Sequence, residues 1–159
     1  SSHAAKRLVK TPKLFFNDTG LACHLMGSSE WADLERLGQT GPLVETWAAG
    51  ELTKLMSVTD PRLRLFFWRT RMGQEVDFII ERGRRVAAIE VKWSARLDDA
   101  AARTLDRCVR EIGDRAALAV ILYGGDETVP LSSRMMAIPF AVFFGAAAPE
   151  TEQELRPKK

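Results

Sequence analysis

Asp77, Glu90 and Lys92 have the types and spacing for metal-assisted chemistry at a phosphate. Gln74-Glu75-Val76-Asp77-Phe78-Ile79-Ile80 and Ile89-Glu90-Val91-Lys92-Trp93 each read as a short strand, and each carries charge where a small domain would be apolar. Side chains alternate faces along a strand, so Glu90 and Lys92 share one face and Asp77 shares a face with Glu75 and Ile79. Arg82-Gly83-Arg84-Arg85 reads as the turn between them. A two-residue turn at Arg82-Gly83 would pair Ile80 with Arg85 and Asp77 with Ala88. Asp77 then lies diagonal to Glu90, within roughly 7–8 Å. A slip of one residue would put the two carboxylates on opposite faces.

Two carboxylates that close repel unless a proton or a cation intervenes. Mg2+, or Mn2+ in its place, suits this pair, because it takes oxygen ligands and needs only one or two carboxylates beside its waters. Such an ion lowers the pKa of bound water and neutralises charge at a phosphate. Lys92 is placed to hold the attacking water or the developing negative charge. The expected metal ligands are Asp77 and Glu90, with Lys92 as the catalytic support beside them, and Glu45 from the preceding helix either completes the outer shell of the site or binds a second metal. The bland alternative is an exposed sheet face carrying an ordinary Glu–Lys pair.

The elements that must position these residues are legible from periodicity and turn chemistry. Leu14-Phe15-Phe16 reads as an edge strand, and Asn17-Asp18-Thr19-Gly20 as a turn or helix start. Leu21–Met26 and Glu30–Leu37 read as short helices closed by Gly27 and Gly38. Gly41-Pro42 opens the main helix, whose apolar stripe runs through Ala48, Ala49, Leu52, Leu55 and Met56. Glu45 lies on that stripe, where a carboxylate needs a partner, a metal or water. Arg62–Arg69, Glu75–Glu81 and Val86–Trp93 form a meander. Leu97–Ile112 is an amphipathic helix with Asp98 and Asp99 at its positive end. Ala116–Tyr123 is apolar throughout and suits a strand buried on both faces. Met135–Phe144 reads as a last strand, placed at an edge by Pro139.

At 159 residues, 46% of them hydrophobic and 28% charged, the chain is one soluble-type domain with a real core. Its net charge of +2 permits a nucleic-acid partner without requiring one. Cys23 and Cys108 lack metal-ligand spacing and read as free thiols of a reducing, cytoplasmic compartment. No apolar run is long enough to span a bilayer. The first residue is Ser, which suggests a piece of a longer protein. The expected organisation is a basic segment with short helices over residues 1–40, a core over 41–145 and a disordered tail over 146–159. Arg69 and Arg71, in the turn at the end of the Asp77 strand, and Gln74 beside them are the candidate nucleic-acid contacts. Lys6, Arg7, Lys10, Lys13, Arg82, Arg84 and Arg85 read mainly as solvated charge, and the four tryptophans as packed core.

The order helix-Glu45, strand-Asp77, strand-Glu90-x-Lys92 resembles the core of the PD-(D/E)xK nuclease superfamily. Lys13-Leu14-Phe15-Phe16-Asn17-Asp18-Thr19-Gly20-Leu21, Gly41-Pro42-Leu43-Val44-Glu45, Phe67-Trp68-Arg69-Thr70, Glu75-Val76-Asp77-Phe78 and Ile89-Glu90-Val91-Lys92-Trp93-Ser94 resemble something narrower. They are similar to the uncharacterised C-terminal domain of a large prokaryotic group of predicted AAA+ ATPases. The resemblance implies an α/β fold with a restriction-endonuclease-like αβββαβ core and a central mixed sheet. It also implies a Mg2+ site at Glu45, Asp77, Glu90 and Lys92, DNA as ligand and an ATPase module upstream. The chain has no Gly-x-x-x-x-Gly-Lys-Ser/Thr phosphate loop, so ATP binding is not expected of it. Two functions follow as expectations: a metal-dependent DNA endonuclease, or a non-catalytic module of the same fold that binds nucleic acid or protein and regulates the ATPase.

Overall fold

The computed structural model describes residues 13–70 and 72–145. The expectations for Lys6, Arg7 and Lys10, for Arg71 and for the tail from 146 lie outside the described residues. The chain runs α1 (Thr19–Leu25), α2 (Trp31–Arg36), α3 (Thr40–Thr59), β1 (Arg64–Arg69), β2 (Glu75–Arg82), β3 (Arg85–Lys92), α4 (Asp99–Ile112), β4 (Ala116–Tyr123), β5 (Val129–Pro130), β6 (Met135–Pro139) and α5 (Phe140–Phe143). The strands make one six-stranded mixed sheet in the order β1-β2-β3-β4-β6-β5. β3–β4 and β4–β6 pair in parallel, and the other three pairs are antiparallel.

Helices cover both faces. α3 brings Val44, Ala48, Ala49 and Leu52 onto Phe78, Ile89, Val91, Val120 and Leu122. α4 brings Ala101, Leu105 and Cys108 onto Val76, Ala88, Ile121 and Tyr123 on the other face. Ala48 and Ala49 leave little side chain between α3 and the sheet, and both are buried. Each large side chain fully buried in these layers, such as Phe78, Leu52 or Leu105, contributes about 1.5–3 kcal/mol of burial. Local chemistry fixes the helix starts. The Asp18 carboxylate caps α1 by accepting the Leu21 N–H at 2.8 Å, and Asp98 caps α4 by accepting from Ala100 at 2.7 Å.

Three local expectations fail. Leu14-Phe15-Phe16 is not a strand, because only Phe15 turns inward, against Phe78. β6 is not an edge strand, since the two-residue β5 pairs beyond it. Phe140–Phe144 does not extend β6. Pro139 has no N–H to carry the ladder on, and it caps α5 instead.

Gly124 follows β4 and lies against the backbone at the end of β3. A Cβ there would overlap the Trp93 carbonyl oxygen, so the strand bearing Glu90 and Lys92 would have to shift. Gly124→Ala is expected to lower the unfolding free energy by about 1–3 kcal/mol. Gly50, within α3, has open space where a Cβ would go. Gly50→Ala should act in the opposite direction, raising stability by about 0.4–1 kcal/mol. Urea titration of the two variants checks both signs.

Candidate functional site

The site forms where β2 and β3 part. Gly83, with φ of 59°, takes the first position of a Gly83-Arg84 turn, so Arg82 pairs with Arg85 and Phe78 with Ile89. The turn lies one residue later than Arg82-Gly83, and the register moves by two. An even shift keeps every side chain on its face. Past Phe78–Ile89, β2 continues along β1, pairing Val76 with Trp68 and Glu75 with Arg69. β3 continues along β4, pairing Glu90 with Ile121 and Lys92 with Tyr123. Asp77 and Glu90 are the first residues on either side of this fork.

A β-bulge re-aims Asp77. β1 and β2 pair at Phe66–Ile79 and then at Trp68–Val76, so Asp77 and Phe78 together oppose Phe67. The extra residue places Val76 in the same core layer as Ile79. Bulges recur beside active sites because they turn a side chain out of the ladder. Here Asp77 Oδ2 accepts the Val91 N–H at 2.9 Å. A carboxylate thus takes the backbone amide that the parting ladder leaves over.

Two charged groups meet at Asp77. On the α3 side, Glu45, Glu75 and Asp77 each bring a carboxylate oxygen within 4.8 Å of the others. The Lys13 ammonium lies among them. It contacts Glu45 Oε1, lies 2.6 Å from Glu75 Oε1 and 3.4 Å from Asp77 Oδ1. On β3, Lys92 Nζ lies 2.7 Å from Glu90 Oε1. Ile89 and Val91 belong to the α3 face, so alternation places Glu90 and Lys92 on the α4 face. The structure therefore brings Glu45 to Asp77 and Lys92 to Glu90, with the two pairs on opposite sides of the sheet and Asp77 between them. Glu90 Oε2 is buried and has no hydrogen-bond partner.

The electrostatics record the crowding. Burial and then the Asp77 charge push Glu45 up to about 7, against the opposing pull of Lys13. Burial and the same Asp77 charge push Glu90 up to about 7, against Lys92 and the Asp77 backbone N–H. Burial would also raise Glu75, but hydrogen bonds from Lys13 and Arg69 outweigh it and hold that carboxyl below its usual range. Burial would lower Lys13, but Glu45, Glu75 and Asp77 outweigh it and hold the ammonium well above its usual range. Lys92 is raised too: burial opposes, and Glu90 followed by Asp77 and Asp98 prevail.

Among the described residues, the expected nucleic-acid contacts Arg69 and Gln74 are already engaged. Arg69 Nε donates to Glu75 Oε2 at 2.7 Å, so it counters the acidic group. Gln74 Oε1 accepts from Arg107 of α4. Arg82 is tied to Asp60 at 2.6 Å, at the opposite end of β2. Trp68 and Trp47 are packed. Trp93 and Trp31 are not core: they are 46% and 41% exposed, and their rings lie 4.7 Å apart. Both line an apolar groove of about 340 Å³ with Leu43, Val44, Trp47 and Phe140.

Lys13 and Glu75 are the site residues that sequence reasoning did not single out. Glu75 had a signal, its spacing of two from Asp77 on one strand. Lys13 opens one of the stretches that carry the resemblance, but it precedes the first helix in a segment without periodicity, so nothing there placed it beside the carboxylates.

The carboxyl shifts set a stability window. A carboxyl with a folded value above its unfolded 4.5 binds more protons folded than unfolded between the two values. Its contribution is therefore lost as pH rises. For Glu45 and Glu90 that window runs from about 4.5 to about 7. Glu75 and Asp60, which are lowered, act below it and lose stability as pH falls. In metal-free buffer with chelator, the urea midpoint should fall as pH rises across the upper window. Glu90→Gln should flatten that fall.

The comparisons with known proteins fit a chain of this extent. Over 140 residues it is 28% identical to an uncharacterized protein of Mycobacterium tuberculosis (strain H37Rv) and equally to one of Mycobacterium bovis. The aligned segment covers 87% of this chain and 30% of each relative. The chain thus spans about a third of the length of the curated relatives it matches. No solved structure matches it. A family model described as a domain of unknown function matches residues 40–143, from the start of α3 to the end of α5 and with Glu45, Asp77, Glu90 and Lys92 inside it. The chain belongs to that family, DUF4143.

Proposed function

We propose that this domain is a Mg2+- or Mn2+-dependent DNA endonuclease module of the PD-(D/E)xK type, the C-terminal part of a longer protein with an ATPase upstream. The observation that carries the reading is the convergence of Glu45, Glu75 and Asp77 oxygens within 4.8 Å, with the buried, unpartnered Glu90 Oε2 across the fork. The order α3-β1-β2-β3-α4-β4 supports the restriction-endonuclease-like core. The length of the mycobacterial relatives leaves room for a further module.

The donor set fits the ion. All four groups are hard oxygen ligands, and Mg2+ or Mn2+ takes one or two carboxylates and completes its shell with water. Asp77 with Glu45, Glu75 or Glu90 would hold it. When bound, the ion supplies an acidified water and charge neutralisation at phosphate. Lys92 is fixed by Glu90, and its positive charge supports negative charge developing on the phosphate. Without the ion, Glu45 and Glu90 have values near 7, so ion binding near neutral pH would release protons from whichever of them it engages. Trp31 and Trp93 offer exposed rings on which an unpaired base stacks.

The second reading, a module that binds without cutting, is favoured by one observation: Lys13 already occupies the acidic group. An assay on single-stranded, duplex and branched DNA with Mn2+ separates the two. Ion-dependent cleavage is expected, with a loss of at least about 100-fold in Asp77→Ala and in Lys92→Ala. DNA that is bound but left intact under every condition would favour the binding module.

A further inference from the structure

We infer that Lys13 is the resident cation of the acidic group, and that a divalent ion binds there only by displacing the Lys13 ammonium. The inference rests on the metal-binding part of the reading above. It adds a residue and a coupling: ion binding at the fork releases the segment that precedes α1.

Three observations carry it. First, the ammonium contacts carboxylates from two elements: Glu45 of α3 and Glu75 of β2, with Asp77 just beyond. These are the three carboxylates whose oxygens converge. A Mg2+ ion needs oxygens at about 2.0–2.1 Å. It cannot use Glu45 Oε1 and Glu75 Oε1 while a like charge is bound to both.

Second, the segment that brings Lys13 is lightly held. Leu14 is 90% exposed and Phe16 half exposed. Phe15 alone is packed, its ring 5.7 Å from that of Phe78, with Lys13 Nζ 5.6 Å from the Phe15 centroid. Among the described residues, Lys13 therefore sits two positions from the one aromatic anchor of its segment and can withdraw without opening the core.

Third, Lys13 leaves part of the charge unmet. Glu90, whose side chain is only 7% exposed, keeps Oε2 buried without a partner beside Asp77, where an ammonium committed to Glu45 and Glu75 does not reach. A divalent ion has twice the charge and draws on more oxygens at once, so it outcompetes the single ammonium. While Lys13 is seated the ion-competent form is a minor one, and apparent affinity falls by that fraction.

The test is Mn2+ binding to the full chain, read from the electron paramagnetic resonance of free Mn2+. Lys13→Gln is expected to tighten binding by at least about 10-fold. Lys54→Gln, which removes the Glu51 partner on the outside of α3, should leave affinity unchanged. A thermal melt confirms that each variant folds. A second measurement needs no variant. Trypsin cleaves after a lysine whose side chain is free, so cleavage at Lys13-Leu14 should be slow without metal and accelerate with saturating Mn2+.

Unchanged or weaker Mn2+ binding in Lys13→Gln, or trypsin cleavage indifferent to Mn2+, would overturn the inference. Tighter binding in Lys13→Gln with no DNA cleavage by any form would leave the inference standing and sink the endonuclease reading instead.

Discussion

Too many negative charges share too little space at the β2–β3 fork, and much of the molecule answers to that constraint. Glu45, Glu75, Asp77 and Glu90 meet in a half-buried corner, where like charges repel more strongly than in water. The protein supplies four kinds of relief. Lys13 and Arg69 bring charge from outside the core. Lys92 brings charge from the same strand as Glu90. The Val91 amide donates to Asp77. The remainder is met by proton affinity, with Glu45 and Glu90 held near 7. A corner left partly protonated is one that a better cation can still improve.

The geometry that creates the crowding is backbone geometry. If β2 stayed paired with β3 past Phe78, strict alternation would commit Asp77 to one face of the sheet. The bulge against β1 and the parting from β3 release it from that choice. Asp77 then serves both sides, with one oxygen toward Lys13 and the other on the β3 backbone. Glu45 on the α3 side and Glu90 on the α4 side therefore feel the same charge, although the sheet lies between them. α3 and α4 close the faces of the sheet with apolar side chains. The fork is where Glu45, Glu75, Asp77 and Glu90 collect.

Much of this was legible in the sequence. α3, α4 and the strands through β4 announced themselves by period, caps and glycines. Glu45, Asp77, Glu90 and Lys92 stood out because they broke the apolar pattern of buried elements. The illegible parts share a physical cause: they depend on which of two nearly equal local options the tertiary structure selects. Arg82-Gly83 and Gly83-Arg84 are both acceptable two-residue turns, and only pairing across the whole hairpin decides between them. A bulge adds no residue type that marks it. Leu14-Phe15-Phe16 has strand composition, yet one inward ring suffices to hold it. Lys13 resembles any surface lysine until the fold carries it to residues more than 30 positions away. Trp93 looks like core because tryptophan usually is, whereas here the strand end leaves it exposed against Trp31.

A core of the same size could be built without this corner. Replacing buried ion pairs by packed apolar side chains is often neutral or stabilising by about 1–4 kcal/mol. Around the fork the local rules otherwise agree: Asp18 and Asp98 cap their helices, glycines occupy the positive-φ positions and both faces of the sheet are apolar. The buried Ser28 and Thr40 hydroxyls lack partners elsewhere, but the charged exceptions meet at one point, in Glu45 on an apolar stripe, Asp77 in a bulge and Glu90 with an unpartnered oxygen. Sequences that specify one structure depart from local consistency mainly where function demands it. A random scatter of polar residues through the core would have meant only a poorly packed domain. Their concentration at one strand fork, with a lysine delivered from a lightly held segment, points to a site that exchanges one cation for another.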